Sequence, residues 1–424
     1  MLAHDPAPAM AGSEVRPRGI GKLPLALVIA LSLAAPGLAQ SPTAGALTLQ
    51  AAIERAFAAN PAVAAARLGR AVNVAGLALA SERLNPEATV ELEKETPKQA
   101  FGFAVPLELG GKREKRIAVG EATIRAGEAE LAATIAQIRN DVRRAYFEAL
   151  VADARLMVLR EMRDLSQRAR NTAQARFDAG DAPRLELLQA QLGLASAENE
   201  ATAAEGVLVA ARARLNTVTG QSLDTVQQLT TPLDAGGPVV MNVVLDLART
   251  GSTELVVIDR QIDQQRARVT LAQALRVPDV IPSAAFTRDS QPEFMYGWRA
   301  GVAVTLPLFT SHKAGVLLEQ ATLDQLMARR QATLVRISGD VTAAVATAEA
   351  QRTAYTRFRD IILPQAQQVE QLAQDSYQLG QTGIVALLQA LQASRDVRLR
   401  SLDTVSQFQT ALADLERAIG APLP

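Results

Sequence analysis

The sequence predicts a mainly helical chain with a small β part, built from one unit written twice. Three observations carry this. Gly180, Leu187, Leu188, Gln189, Ala190, Ala211, Ala213, Leu215 and Gly220 recur identically 200 positions later, ending at Gly420. Long stretches free of proline place apolar residues every three or four positions, the period of a helix. Two short windows alternate apolar with polar or small residues, the period of a strand.

The duplication extends beyond those residues. FAVPLELGGK (Phe103–Lys112) lines up with VTLPLFTSHK (Val304–Lys313) at an offset of 201, and Ala56 to Pro86-Glu87 with Ala248 to Pro278-Asp279 at an offset of 192. The first repeat is residues 40–220: a helix, a β-hairpin over 86–109, a long helix over 112–178 and a helix over 183–219. A linker rich in Pro and Gly covers 221–243. The second repeat is residues 244–420: a helix, a hairpin over 279–309, a long helix over 312–379 and a helix over 383–419.

Each element has its own signal. Leu131, Ile135, Ile138, Val142, Tyr146, Ala149, Leu156 and Leu159 form a narrow seam along the first long helix. At that length it would run on the order of 100 Å, more than a compact domain holds. Pro364 should kink its counterpart. On the second hairpin Tyr296, Trp298, Ala300, Val302, Val304, Leu306 and Leu308 share one parity, and Gly297, Arg299, Gly301, Ala303 and Thr305 the other. Phe103, Val105, Leu107 and Leu109 repeat the pattern on the first, with Val90 and Leu92 just before.

Composition narrows the function classes. Lys+Arg and Asp+Glu are 44 each in 424 residues, so no excess positive charge points to nucleic acid. Apolar residues make up 48% but aromatics only 4%, which suits thin helical packing. Residues 1–39 read as a secretory signal: Arg16, Arg18 and Lys22 lead into LPLALVIALSLAA (Leu23–Ala35), with Gly37 and Ala39 at the cleavage site. That apolar run is too short to span a bilayer. With no Cys in the chain, stability outside the cytoplasm must come from packing or assembly.

Seven aromatics, Phe101, Phe103, Phe286, Phe294, Tyr296, Trp298 and Phe309, sit in the strand windows. Aromatics on short alternating strands suit the interfacial girdle of a membrane barrel. Two hairpins supply too few strands, since outer-membrane barrels need at least about eight, and an open edge finds no hydrogen-bond partner in lipid. Several chains would therefore share one barrel. The other reading is a soluble β-cap on a helical bundle.

Duplicated helix–hairpin–long-helix units, an export signal and twin glycine turns together resemble the TolC family of trimeric outer-membrane channels, over almost all of the mature chain. PLELGGKRE (Pro106–Glu114) is similar to the heavy-metal efflux branch, the CzcC-like proteins. The resemblance implies antiparallel coiled-coil-like helices forming an α-barrel tunnel. It implies four strands per chain in a homotrimeric β-barrel, about twelve strands in all. It implies an outer-membrane location with a long periplasmic extension, and work with a periplasmic adaptor (membrane fusion) protein and an inner-membrane RND pump. The cargo is expected to be heavy-metal cations; the alternatives are drug efflux or type I protein secretion and, in another class, a soluble periplasmic adaptor or scaffold.

Site residues follow from the same resemblance. Phe177, Gly180, Leu185, Leu187, Leu188, Tyr377, Gly380, Val385, Leu387 and Leu388 would form the periplasmic tips, the leucines and the valine meeting either adaptor hairpins or neighbouring helices of the chain. Tyr377, Glu186, Ala386 and Gln389 would gate the entrance; Ala386 and Gln389 are uncharged where the best-known member has paired aspartates. Phe103, Val105, Leu107, Tyr296, Trp298, Val302, Val304 and Leu306 would face lipid with Arg299 in the lumen, where it biases passage or pairs with Glu108 or another carboxylate. The basic run Lys112, Arg113, Lys115 and Arg116 would meet headgroups or be neutralised by Glu114 and Glu121. No nucleophile, phosphate loop or metal-ligand set assembles, His312 reads as interfacial, and neither enzymatic activity nor a cofactor is expected.

Overall fold

The computed structural model describes residues 46–95, 97–290, 294–306 and 308–423, and the expected signal segment lies outside them. The chain opens with β1 (Ala46–Leu47), α1 (Leu49–Ala59) and α2 (Pro61–Ser81). Sequence periodicity reads a single helix here, but Asn60 divides it. A residue preceding proline is disfavoured in the helical region, and Asn60 caps α2 by accepting from the Ala62 N–H at 2.8 Å while donating to Val218 O at 2.8 Å. The second repeat divides at Ser252, the equivalent position, into α5 (Met241–Gly251) and α6 (Thr253–Ala274).

The first hairpin is β2 (Glu87–Leu92) and β3 (Gln99–Ala104); the second is β5 (Val280–Ser290) and β6 (Phe294–Val304). Both stop short of the expected 109 and 309. They join one antiparallel sheet in the order β2-β3-β5-β6, which leaves β2 and β6 as its edges among the described strands. Register sorts the side chains. Val90, Phe101, Phe286 and Trp298 lie in one row across all four strands, while Thr89, Gly102, Ala285 and Arg299 form a row on the opposite face.

The long helix α3 (Lys112–Asp178) has 67 residues without interruption, about 100 Å at the helical rise. Its counterpart is interrupted: α7 (Lys313–Arg357) passes through a π-helical turn (Phe358–Ile362) into α8 (Leu363–Gln378). The expected kink at Pro364 takes this form because proline has no N–H for the regular ladder. The wider turn bonds Leu363 N–H to Phe358 O instead. The returning helices α4 (Arg184–Thr219) and α9 (Ile384–Ile419) have 36 residues each and begin and end 200 apart.

Helices α2, α3, α6 and α7 stand in a row on the strand side; α4, α3, α9 and α8 continue it on the turn side. Two equivalent apolar clusters fill the middle. One gathers Ile53, Val142, Tyr146, Leu208 and Leu215, the other Val244, Val341, Phe408, Leu412 and Leu415. The linker is fastened to both. Tyr146 donates its hydroxyl to Leu47 O (2.7 Å) and accepts from the N–H groups of Thr230 and Thr231, beside the parallel pair of β1 with β4 (Gln228–Leu229). Gln409 donates to Leu233 O and Ala235 O and accepts from Arg143, whose other arm reaches Glu416 at 2.7 Å. The buried pair joins the first repeat to the second, Gln409 extends the connection to the linker, and Arg143 Nε is left without a partner among the described residues.

Candidate functional site

The twin turns close by the same hydrogen bonds. After α3, Gly180 N–H donates to Phe177 O and Asp181 N–H to Arg176 O; after α8, Gly380 N–H donates to Tyr377 O and Gln381 N–H to Ser376 O. This double closure needs a left-handed residue. Gly180 and Gly380 supply it at φ of 82° and 71°, where a side chain would be strained.

Between the turns α3, α4 and α8 meet at three side chains. Tyr377 is 1% exposed and donates its hydroxyl to Glu186 Oε1 at 2.8 Å. The Arg176 guanidinium lies 5.1 Å from the centre of the Tyr377 ring and 3.4 Å from Glu186 Oε1. Burial, reinforced by the bond to Glu186 and its charge, raises the Tyr377 phenol far above its ordinary value. The structure brings together Tyr377 and Glu186, two of the four residues expected at the entrance. Glu186 is buried, and its carboxylate is taken up by Tyr377 and Arg176. Arg176 went unnoticed in the sequence because nothing in the spacing links it to Tyr377, 201 positions on.

The apolar tip residues divide. Leu187 and Leu387 are buried with Met162, Ala173, Ile384 and Leu391, because these positions form the stripes by which the helices pack. Of the two alternatives open for these leucines, Leu187 and Leu387 take the packing against neighbouring helices of the chain. Leu388 is half-buried, and a Cβ on Gly193 would stand 3.0 Å from it. Leu185 (63% exposed), Leu188, Val385 and Phe177 remain accessible. Ala386 and Gln389 are exposed.

Further along, the helical hairpin α8–α9 is tied to the helical hairpin α3–α4 by two arginines of α9. Arg398 bridges Glu370 (3.0 Å) on its own hairpin and Glu161 (2.7 Å) on α3; Arg395 bridges Asp396 (3.1 Å) and Glu200 (2.7 Å) on α4. Ser394 also donates to Glu370, at 2.5 Å. Each arginine keeps a carboxylate of its own hairpin, so separating the hairpins strands no buried charge.

At the sheet, Phe103, Leu107, Tyr296, Val302, Val304, Leu306 and, at 83%, Trp298 are exposed. Val105, Leu107 and Leu306 lie past the strand ends rather than on the strands. The first two still bond to the base of β5, Val105 N–H to Pro282 O (3.0 Å) and Leu107 N–H to Val280 O (2.8 Å). Arg299, on the polar and small face, pairs with Glu91 at 3.5 Å; Glu108 pairs with Arg116 instead. Most of the basic run is bound within the chain. Lys112 is 6% exposed and meets Asp279 at 2.7 Å, and Arg113 donates to Ser81 O. Arg116 pairs with Glu108, so three of the four basic residues have partners other than Glu114 and Glu121, while Lys115 is exposed. Among the described residues no group of His, Asp and Glu side chains could hold a metal ion.

Comparison with known proteins gives a consistent picture. A profile of the outer membrane efflux protein family matches residues 52–221 and 244–421, one match for each repeat. The chain is 26% identical over 418 residues to the cobalt-zinc-cadmium resistance protein CzcC of Cupriavidus metallidurans, covering 94% of this chain and 99% of that one. It is 29% identical to the nickel and cobalt resistance protein CnrC of the same organism, over 71% of each chain. Among solved structures, the Campylobacter jejuni CmeC outer membrane channel superposes with a TM-score of 0.74 at 16% identity, over 88% of this chain and 85% of that one.

Proposed function

The chain belongs to the outer membrane efflux protein family, and on that premise we propose that it is the passive exit duct of a tripartite efflux assembly that exports heavy-metal cations. One observation carries the duct reading. The four-stranded sheet has two unpaired edges and one face lined by exposed Phe101, Phe103, Phe286, Tyr296 and Trp298. Such a face suits lipid, and such edges persist in lipid only when other strands close them. Three copies side by side form the barrel, and their long helices continue it as a tunnel through the periplasm. A soluble scaffold leaves both the edges and the aromatic face without a role.

The tips present Leu185, Leu188, Val385 and Phe177 to the hairpins of a periplasmic adaptor. The Arg176–Tyr377–Glu186 tie holds the α8–α9 hairpin against α3 and α4, which is the closed arrangement of the entrance. Opening requires the α8–α9 hairpin to leave α3 and α4, so the arginine bridges must release Glu161 and Glu200 as well. Energy for transport comes from an inner-membrane RND pump. The metal cargo is supported by the names of the curated relatives, which are metal resistance proteins. The duct conducts the ion rather than holding it, and the pump selects it.

The test is to purify the protein from outer membranes, record conductance in planar bilayers and run an unheated gel beside it. Discrete channel events with a trimer-sized band are expected. A water-soluble monomer without conductance would leave only the periplasmic scaffold.

A further inference from the structure

The two repeats share more than sequence. Shifting α1 by 192 gives the bounds of α5, and the pair Ala88–Phe103 of the first hairpin becomes the observed pair Val280–Val304 of the second. His312, exposed, adopts the left-handed conformation (φ 55°) of Gly111 (φ 67°), its equivalent at an offset of 201. The junction of sheet and long helix is therefore the same construction twice.

In the first repeat that junction is complete within the chain. Val105 and Leu107 bond to the base of β5, and Asp279 accepts from the Leu109 N–H (3.0 Å) and the Lys112 ammonium (2.7 Å). In the second repeat the equivalents are Leu306, Leu308, Thr310 and Lys313. No strand follows β6 in the described sheet to receive them. Leu306 and Leu308 are 65% and 76% exposed, and the Leu308 N–H turns back to Leu306 O at 2.9 Å. Among the described residues Lys313 has no ion-pair partner within 4.0 Å.

The counterpart of β5 under the 192 shift is β2, the opposite edge of the same sheet, with Glu87 at the place of Asp279, Ala88 at Val280 and Val90 at Pro282. Glu87 is exposed and likewise has no ion-pair partner among the described residues. The helices agree. On α6 Gln264 faces α3, donating to Thr123 Oγ1 at 2.7 Å. Its equivalent on α2 is Val72, which lies exposed in a stripe with Leu68 and Leu79 and whose own-chain equivalent of α3 is α7.

We infer that Lys313 binds Glu87 of the adjoining copy and that Leu306 and Leu308 form strand pairs with that copy's Val90 and Ala88, repeating between chains the Lys112–Asp279 junction found within one. The inference rests on the shared-barrel reading and adds to it a register and a charge pair. Every residue keeps its face: Leu306, Leu308, Ala88 and Val90 all carry the parity of the apolar rows.

The chain has no Cys, so paired cysteines report the register cleanly. Strands facing one another bring Cα atoms within disulfide reach, whereas β2 and β6 of one chain are three strand spacings apart, about 14 Å. Membranes carrying Val90→Cys with Leu306→Cys are oxidised and compared with Leu92→Cys with Leu306→Cys. In parallel, Lys313→Glu, Glu87→Lys and the double exchange are scored for heat-resistant oligomer on gels. The expected result is a covalent ladder for the first cysteine pair and not the second. Each single reversal should lose oligomer by about tenfold or more, and the double exchange should recover it. An oligomeric unaltered protein with the ladder in the other register, or with reversals that change nothing, overturns this inference and leaves the shared barrel standing. An unaltered protein that is a water-soluble monomer overturns both.

Discussion

Tyr377 shows how much one side chain can fix. Its hydroxyl and Arg176 are the groups bonded to the buried Glu186 carboxylate, and a hydrogen bond to a charged group contributes about 1.5–3 kcal/mol. Tyr377→Phe should therefore raise the open probability in bilayer recordings by roughly tenfold or more, with the fold unchanged by circular dichroism. The pH dependence has a definite sign. A phenol raised by folding, as Tyr377 is, holds its stabilisation below its unfolded pKa of about 10 and loses it as pH rises through the folded value. Deprotonation of Tyr377 therefore leaves closure unaffected between about pH 6 and 9 and opens the entrance only above about pH 10. Tyr377→Phe should lack that alkaline limb; an unaltered channel whose alkaline opening survives in the variant would place the titrating group elsewhere. His312 offers a second measurement at this scale. A β-carbon in the left-handed region costs roughly 1–2 kcal/mol, so His312→Gly should stabilise the protein by about 1 kcal/mol in thermal unfolding monitored by circular dichroism.

Among the elements, β6 gives the sharpest contrast. Val302 lies on the exposed apolar face and Ala303 on the face of Arg299. A lysine or arginine on the lipid face of a barrel strand costs about 2–4 kcal/mol at mid-depth, so Val302→Lys should abolish trimer recovery from outer membranes where Ala303→Lys is tolerated. Equal behaviour of the two would remove the membrane assignment of the sheet. The elements also show what the sequence made legible. Strand parity was readable because a sheet with unlike faces writes a period of two into its residues. The bounds of α4 and α9 were readable because Gly180, Gly220, Gly380 and Gly420 close helices at equal spacing in both repeats. The division at Asn60 was written in Asn60-Pro61 yet hidden by apolar periodicity that continues across it. The hydrogen-bond partners of Lys112 and Glu186 were not readable at all. Charge on a helix surface carries no mark of its partner, and these partners stand 167 and 191 positions away at Asp279 and Tyr377. The tip leucines stayed open between two roles for a related reason: Leu185 and Leu187 are the same residue type, and only the neighbouring helices decide which one is buried.

For the whole molecule, internal duplication and assembly follow one rule. The junction that joins the repeats within a chain supplies the pattern by which chains join one another, so a small number of copies closes a ring without a second kind of interface. A ring also multiplies whatever charge its tips carry. Ala386 and Gln389 are exposed on α9 beside the turn and carry no charge. Carboxylates repeated around a narrow entrance in low-dielectric walls focus the field and concentrate multivalent cations there. The unaltered channel should accordingly pass current with little block by micromolar trivalent lanthanide ions added on the tip side. Ala386→Asp combined with Gln389→Asp should create that block, and raised ionic strength should weaken it as screening shortens the reach of the ring. Strong block of the unaltered channel would instead mean that other carboxylates line the entrance. Glu186 would be the first to examine, since it becomes available for a cation only when Tyr377 and Arg176 let it go. Block that grows in the Tyr377→Phe variant and vanishes in Glu186→Gln would identify it directly.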